Sequence, residues 1–207
     1  MRPGVCIVKL GGSFAFSEEL KPWLDPMAAC AGRVVLVPGG GPFADAVRSA
    51  QEKIDFEDWA AHHMALLAME QYGCALVSLC AGLRLAATPI AIRRALRAGE
   101  VPVWSPLRMV LAANDVPESW DVTADSLAAW LAGVLGAKRV LLVKRIVPRG
   151  GALSAHRLVA KGIVDPLFPK FLAASGAEGF IAGPRDHAAA AAAIRNGTAP
   201  GIAIALT

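Results

Sequence analysis

Aromatic residues are scarce in this chain, at 6% of its 207 residues, with a single tyrosine, Tyr72. Surfaces that hold nucleic acid by stacking interleave aromatics with cations, and no segment does so here. The densest basic group, Arg93, Arg94 and Arg97, reads as a solvated helix face. A net charge of +4 is too modest to specify a polyanionic macromolecule, so no nucleic-acid partner is expected. Cysteine is also sparse: Cys6, Cys30, Cys74 and Cys80 lack CxxC spacing and read as buried reduced thiols. No apolar stretch reaches the ~18 residues that a membrane-spanning helix requires. The chain enters a strand almost at once, with no signal-like apolar segment, so a cytoplasmic protein without membrane contact is expected.

Phosphate-binding motifs of the best-known kinds are missing as well. A P-loop places Lys-Ser or Lys-Thr after its glycines; neither glycine cluster here does. A dinucleotide turn needs GxGxxG, and Gly39-Gly40-Gly41-Pro42-Phe43-Ala44 lacks the third glycine. The four histidines are scattered or on helices, and nothing suggests a protein metal site.

What is present is apolar: 55% of the chain, much of it alanine, as in Ala188–Ala193. One α/β domain over residues 1–207 accommodates this core. Continuous Val/Ile/Leu runs place strands at 5–10, 33–38, 101–104, 140–144, 179–182 and 201–206, with a further strand at 74–79. Helical periodicity falls at 18–31, 42–53, 55–73 (with Asp55 as N-cap), 89–98, 106–113, 125–136, 166–175 and 186–196. Residues 145–162 look irregular. This alternation implies a three-layer αβα sandwich around a mostly parallel sheet.

Two glycine-rich turns each close a strand: Val8-Lys9-Leu10-Gly11-Gly12-Ser13 and Val37-Pro38-Gly39-Gly40-Gly41. Glycine lets backbone N–H groups approach an anion, and a following helix N-terminus adds unpaired N–H groups. Each turn alone could be a plain βα connection; the pair, with Lys9 ending the first strand, suggests a site for two phosphate groups. Lys9 could also snorkel to the sheet edge. Thr123-Ala124-Asp125-Ser126 opens a helix with more side-chain oxygens than capping needs. Lys144 and Arg145 end the strand at 140–144, at the edge where a nucleotide would lie, and Lys170 sits early in the 166–175 helix.

Together these pieces resemble the amino acid kinase superfamily. Gly39–Ala44, His62, Met69-Glu70, Ser119-Trp120 and Val164-Asp165 are similar to its [5-(aminomethyl)furan-3-yl]methyl phosphate kinases. The resemblance implies transfer of the ATP γ-phosphoryl group, with Mg²⁺ carried by the nucleotide phosphates, onto a small phosphate monoester. The product would be a diphosphate in methanofuran-type cofactor synthesis and one-carbon metabolism. It implies Lys9, Asp125 and Lys170 as catalytic residues, with Asp125 orienting Lys9. Gly11, Gly12, Ser13, Lys144 and Arg145 would hold the nucleotide. Gly39, Gly40, Gly41, His62 and Thr123 would hold the acceptor phosphate. A homo-oligomer is expected. The chain departs from the superfamily after the strand at 140–144: a Thr-Asp-Val-Asp-Gly-type loop is replaced by Lys144-Arg145-Ile146-Val147-Pro148. Two rivals remain: another acceptor, such as a nucleoside monophosphate or isopentenyl phosphate, and a catalytically silent nucleotide- or oxyanion-binding subunit.

Overall fold

The computed structural model describes residues 4–148, 150–151 and 153–206. In chain order it forms β1 (Cys6–Leu10), a 3-10 turn (Gly12–Phe14), α1 (Leu20–Ala28), β2 (Val34–Pro38), α2 (Gly41–Ile54) and α3 (Asp58–Leu79). Then come β3 (Leu83–Ala86), α4 (Pro89–Arg97), β4 (Val101–Trp104), α5 (Leu107–Val110), α6 (Ala124–Leu135) and β5 (Arg139–Val143). The chain closes with β6 (Leu153–Ser154), α7 (Ala155–Ala160), α8 (Phe168–Ser175), β7 (Glu178–Ala182), α9 (His187–Arg195) and β8 (Ile202–Ala205).

Among the described residues the strands make one sheet in the order β3-β4-β2-β1-β5-β7-β8-β6. Its pairings are parallel except that of β7 with β8. Every residue of β1, β2 and β5 is buried, as continuous apolar runs require when helices cover both faces. Alternation along β1 divides the core. Cys6, Val8 and Leu10 pack with Trp23 and Leu24 of α1 and Ile194 of α9. Ile7 packs on the other side with Leu127, Ala128 and Leu131 of α6 and Phe168 of α8. Lys9, two residues after Ile7, faces the α6 side. Alanine at 128, 129 and 132 is fully buried, which lets α6 lie close to sheet and α8.

Leu10 of β1 registers with Pro38 of β2 on one side and Val143 of β5 on the other. The two glycine turns and Lys144 are therefore level at the carboxyl edge of the three central strands, the edge where open α/β sheets bind ligands.

Several expectations need correction. Residues 74–79 are not a strand but the end of the long helix α3, and the strand lies at Leu83–Ala86. Gly73, the last residue of the expected helix, lies inside α3 as a packing glycine: a Cβ there would meet Val103, Leu85 and Pro38 at 3.4–3.5 Å. The turn comes later, at Gly82, whose φ is +86°. Asp55 does not begin α3; it ends α2 in the left-handed region at φ 61°. Residues 145–162 hold more order than expected, because the Ser154 side chain accepts a bond from Arg157 N and starts α7. Cys6 and Cys30 are buried free thiols as expected, but Cys74 is exposed and Cys80 half-buried. No helix among the described residues is long and apolar enough to cross a membrane.

Candidate active site

The two glycine turns touch backbone to backbone. A Cβ on Gly12 would overlap the backbone N and Cα of Gly41, and one on Gly39 would stand 2.5 Å from Gly12 N. Gly41 itself takes φ +56°, a conformation that side chains disfavour. Glycine is thus required first by the contact between the turns, and only then by any ligand.

Two of the turn amides are already used. Gly11 N donates to Val143 O at 3.1 Å, and Gly39 N donates to Leu10 O at 2.9 Å, which knits both turns into the sheet. The amides that open the 3-10 turn and α2 have no intrahelical acceptor by position. They belong to Gly12 and Ser13 in the first turn and to Gly40, Gly41 and Phe43 in the second.

Beside these turns lies a cavity of about 380 Å³. Lys9, Gly11, Gly12, Ser13, Gly40, Gly41, His62, Thr123 and Lys144 line it. Beneath it sits Asp125, almost wholly buried. Lys9 Nζ lies 3.0 Å from Asp125 Oδ1 and Lys144 Nζ lies 2.5 Å from Oδ2. One carboxylate therefore holds two ammonium groups at the floor of the cavity. Burial alone would push the Asp125 carboxyl up, but Lys144 and Lys9 outweigh it and hold it below the usual carboxylate range. Burial pulls Lys9 below the usual lysine range against the Asp125 charge, and Lys144 adds to the pull. Neither cation snorkels away.

Asp125 does not cap α6. That role falls to Asp165, which comes from the segment before α8. Asp165 Oδ2 accepts from Thr123 N at 2.9 Å, Thr123 Oγ1 at 2.8 Å and Ser126 N at 3.1 Å, while Ser126 Oγ bonds to Oδ1. Burial raises the Asp165 carboxyl, with the Asp125 charge adding, against these bonds. The clasp seats the first turn of α6 and hence Asp125. As a residue for the site, Asp165 escapes sequence reasoning. The signal is indirect: Thr123 and Ser126 are two hydroxyls at a helix start that need an acceptor.

Four expected site residues sit elsewhere or serve otherwise. Gly39 does not line the cavity, and its amide is spent on Leu10. Arg145 is exposed outside the cavity, and its Nη1 reaches Ser13 O at 3.4 Å, bracing the 3-10 turn. Lys170 is exposed, because α8 turns Phe168, Phe171 and Leu172 inward; its Nζ lies over the Phe171 ring at 5.9 Å. Thr123 lines the cavity, but its hydroxyl is already bonded to Asp165.

The remaining wall is largely apolar and comes from Leu66, Met69, Val122 and Leu127. Trp120 closes one side; its Nε1 donates to Gln51 Oε1 at 2.6 Å and Arg48 lies 4.3 Å above its ring. His62 is buried, and its Nε2 has no partner among the described residues. Burial lowers its pKa, so the ring is neutral near pH 7. Among the described residues no group of three or more His, Cys, Asp or Glu is placed to hold a metal ion.

A family model described as the amino acid kinase family matches residues 4–146, which include both glycine turns, Asp125 and Lys144. The chain is 25% identical over 179 residues to the [5-(aminomethyl)furan-3-yl]methyl phosphate kinase of Methanocaldococcus jannaschii, covering 80% of this chain and 82% of that one. Its fold is similar to the uridylate kinase from Archaeoglobus fulgidus, with a TM-score of 0.71 at 17% identity over 97% of this chain and 100% of that one. It is also similar to the UMP kinase from Bacillus anthracis, with a TM-score of 0.68 at 15% identity over 97% and 94%. This chain belongs to the amino acid kinase family.

Proposed function

We propose that the chain transfers the γ-phosphoryl group of ATP to a phosphate monoester, releasing ADP and a diphosphate. The proposed acceptor is [5-(aminomethyl)furan-3-yl]methyl phosphate, on which the relative from M. jannaschii is named. The observation that carries this reading is the lysine pair on Asp125, set directly beside two touching anion turns.

An acceptor phosphate oxygen attacks the γ-phosphorus, and the bond from γ-phosphorus to the β-bridging oxygen breaks. A phosphate monoester has a second pKa of about 6 and is already anionic near neutrality, so no general base is required. The obstacle is repulsion between two anions as charge spreads over the transferring group. Lys9 and Lys144, held in place before substrate arrives, offset that charge without reorganisation. The first turn, at Gly12 and Ser13, takes the nucleotide phosphates; the second, at Gly40 and Gly41, takes the acceptor. Among the described residues Asp45 is the one carboxylate in the cavity lining, so Mg²⁺ fits as a companion of the nucleotide phosphates rather than in a protein cage. It would neutralise phosphate oxygens there.

The same reading places the protein in the cytoplasm, in methanofuran-type synthesis, as a single domain that self-associates. The outer face of α3, with exposed Trp59, Met64 and Leu67, is the surface we assign to a second copy; light scattering of the purified chain tests this.

The decisive experiment measures ADP release with the furan phosphate, UMP and isopentenyl phosphate, each with Mg²⁺ and with EDTA. Metal-dependent turnover of the furan phosphate above the others supports the reading; preference for another monoester replaces the acceptor. The silent-subunit reading is favoured by Lys144-Arg145 in place of the acidic loop. It is supported if nucleotide binds but none of the three acceptors is turned over.

A further inference from the structure

We infer that Asp45 is the acceptor's specificity residue and receives a protonated primary amine at the end of the acceptor opposite its phosphate. This rests on the phosphoryl-transfer reading above. Among the described residues Asp45 is the sole carboxylate lining the cavity, whose other charged lining residues are Lys9, Lys144 and Arg48. It makes no hydrogen bond or ion pair among the described residues. Arg48, three residues on in α2, is its natural partner on a helix, yet Arg48 stacks over Trp120 instead. With Gln51 also holding the indole, the helix uses Arg48 and Gln51 to fix a wall and leaves the Asp45 charge uncompensated.

The spacing sets the shape of the ligand. Asp45 is four residues beyond Gly41, so the helical rise puts it ~6 Å farther along α2 than the second anion turn. The same cavity is lined by the apolar side chains of Leu66, Met69, Val122 and Leu127. A ligand that matches all three parts has an anion, a flat or apolar middle about one ring long, and a cation. The unpartnered Nε2 of buried His62, on the same lining, supplies a further polar contact for such a molecule. A second anion at the far end would be repelled by Asp45, and a neutral end would leave it unused. The aminomethyl group in the relative's printed acceptor has this anatomy.

The test compares two acceptors that differ only in the far group, the aminomethyl compound and its hydroxymethyl analogue. The chain should prefer the amine by about 10- to 100-fold in kcat/KM, as a charge-assisted bond gives. Asp45→Asn should reduce that preference to within about threefold, and Asp45→Glu should restore much of it. A chain that turns both compounds over equally overturns the inference but leaves phosphoryl transfer standing, as does an Asp45→Asn variant that keeps the full preference. If no acceptor is turned over, the transfer reading fails, and calorimetry of the same two compounds decides on the amine. Tighter amine binding that Asp45→Asn abolishes supports the site, and equal binding overturns it. Asp45 is exposed, so the variants should melt with the parent protein.

Discussion

Replacing Asp125 by Asn is the sharpest perturbation this structure offers. Asparagine caps a helix about as well as aspartate, so a residue that merely capped α6 would tolerate the change. Asp125 instead lies 98% buried between two ammonium groups. Its neutralisation leaves Lys9 and Lys144 without a counter-charge in a site where Lys9 is 6% exposed. Breaking a buried pair in this way costs about 3–5 kcal/mol. At ~2–4 °C per kcal/mol for a chain of this size, the melting temperature should fall by roughly 6–20 °C near pH 7. The gap should also depend on pH. Asp125 is held below its ordinary 3.8, so its contribution is full above that value and disappears as pH falls through the depressed one. Lys9 is held below its ordinary 10.5 chiefly by burial. Its charged form therefore costs stability in the native state, and the cost is relieved as pH rises towards 10.5. Loss of Asp125 deepens that cost, so the variant gains more from alkali than the parent does. Melting curves of both proteins from pH 4 to 10 should show a gap that holds from pH 4 to neutrality and narrows towards pH 10, with ADP release abolished in the variant. A gap under 2 °C that is flat with pH, together with normal turnover, would refute the shared-carboxylate argument.

Lys9→Ala leaves Asp125 paired with Lys144, so the protein should stay folded while kcat falls about 10²- to 10³-fold; a folded variant with kcat intact would remove Lys9 from the chemistry. Gly12→Ala drives a methyl into the backbone of Gly41. Forced overpacking costs about 1–3 kcal/mol, and calorimetry should show nucleotide and acceptor binding weakened together. Asp165→Asn sets an amide against four donors at the start of α6. Unsatisfied buried donors cost about 1–3 kcal/mol, so melting should drop by several degrees. Activity should fall further than Thr123→Val, which removes one of those four bonds, lowers it.

The frame of this site was legible in the sequence. Continuous apolar runs ending at glycine placed β1 and β2 and their turns, because strands buried on both faces have no other pattern. The Lys9–Asp125 pair came from family resemblance. Lys144 was readable as a cation at the sheet edge, but its place on Asp125 depends on the register of β1 with β5, which no local pattern encodes. Asp165 was illegible as a cap because its partners lie 39 and 42 residues away. The true end of α3 is hidden for a related reason: a glycine such as Gly73 allows a turn and close packing equally, and only the neighbouring sheet decides. Lys170 came from the family resemblance alone, and it lies on a helix whose apolar face turns it outward.

The touching glycine turns have a consequence for how such a protein could diversify. Donor and acceptor seats are joined by main chain rather than by side chains, so their separation is a fixed gauge that substitution cannot tune without breaking the contact. Variation in acceptor must then occur at the other end of the cavity, on α2, on α3 and in the segment carrying Trp120. A library confined to positions 45, 48, 62, 66, 69 and 120 would explore new acceptors while keeping the in-line geometry between the two seats unchanged.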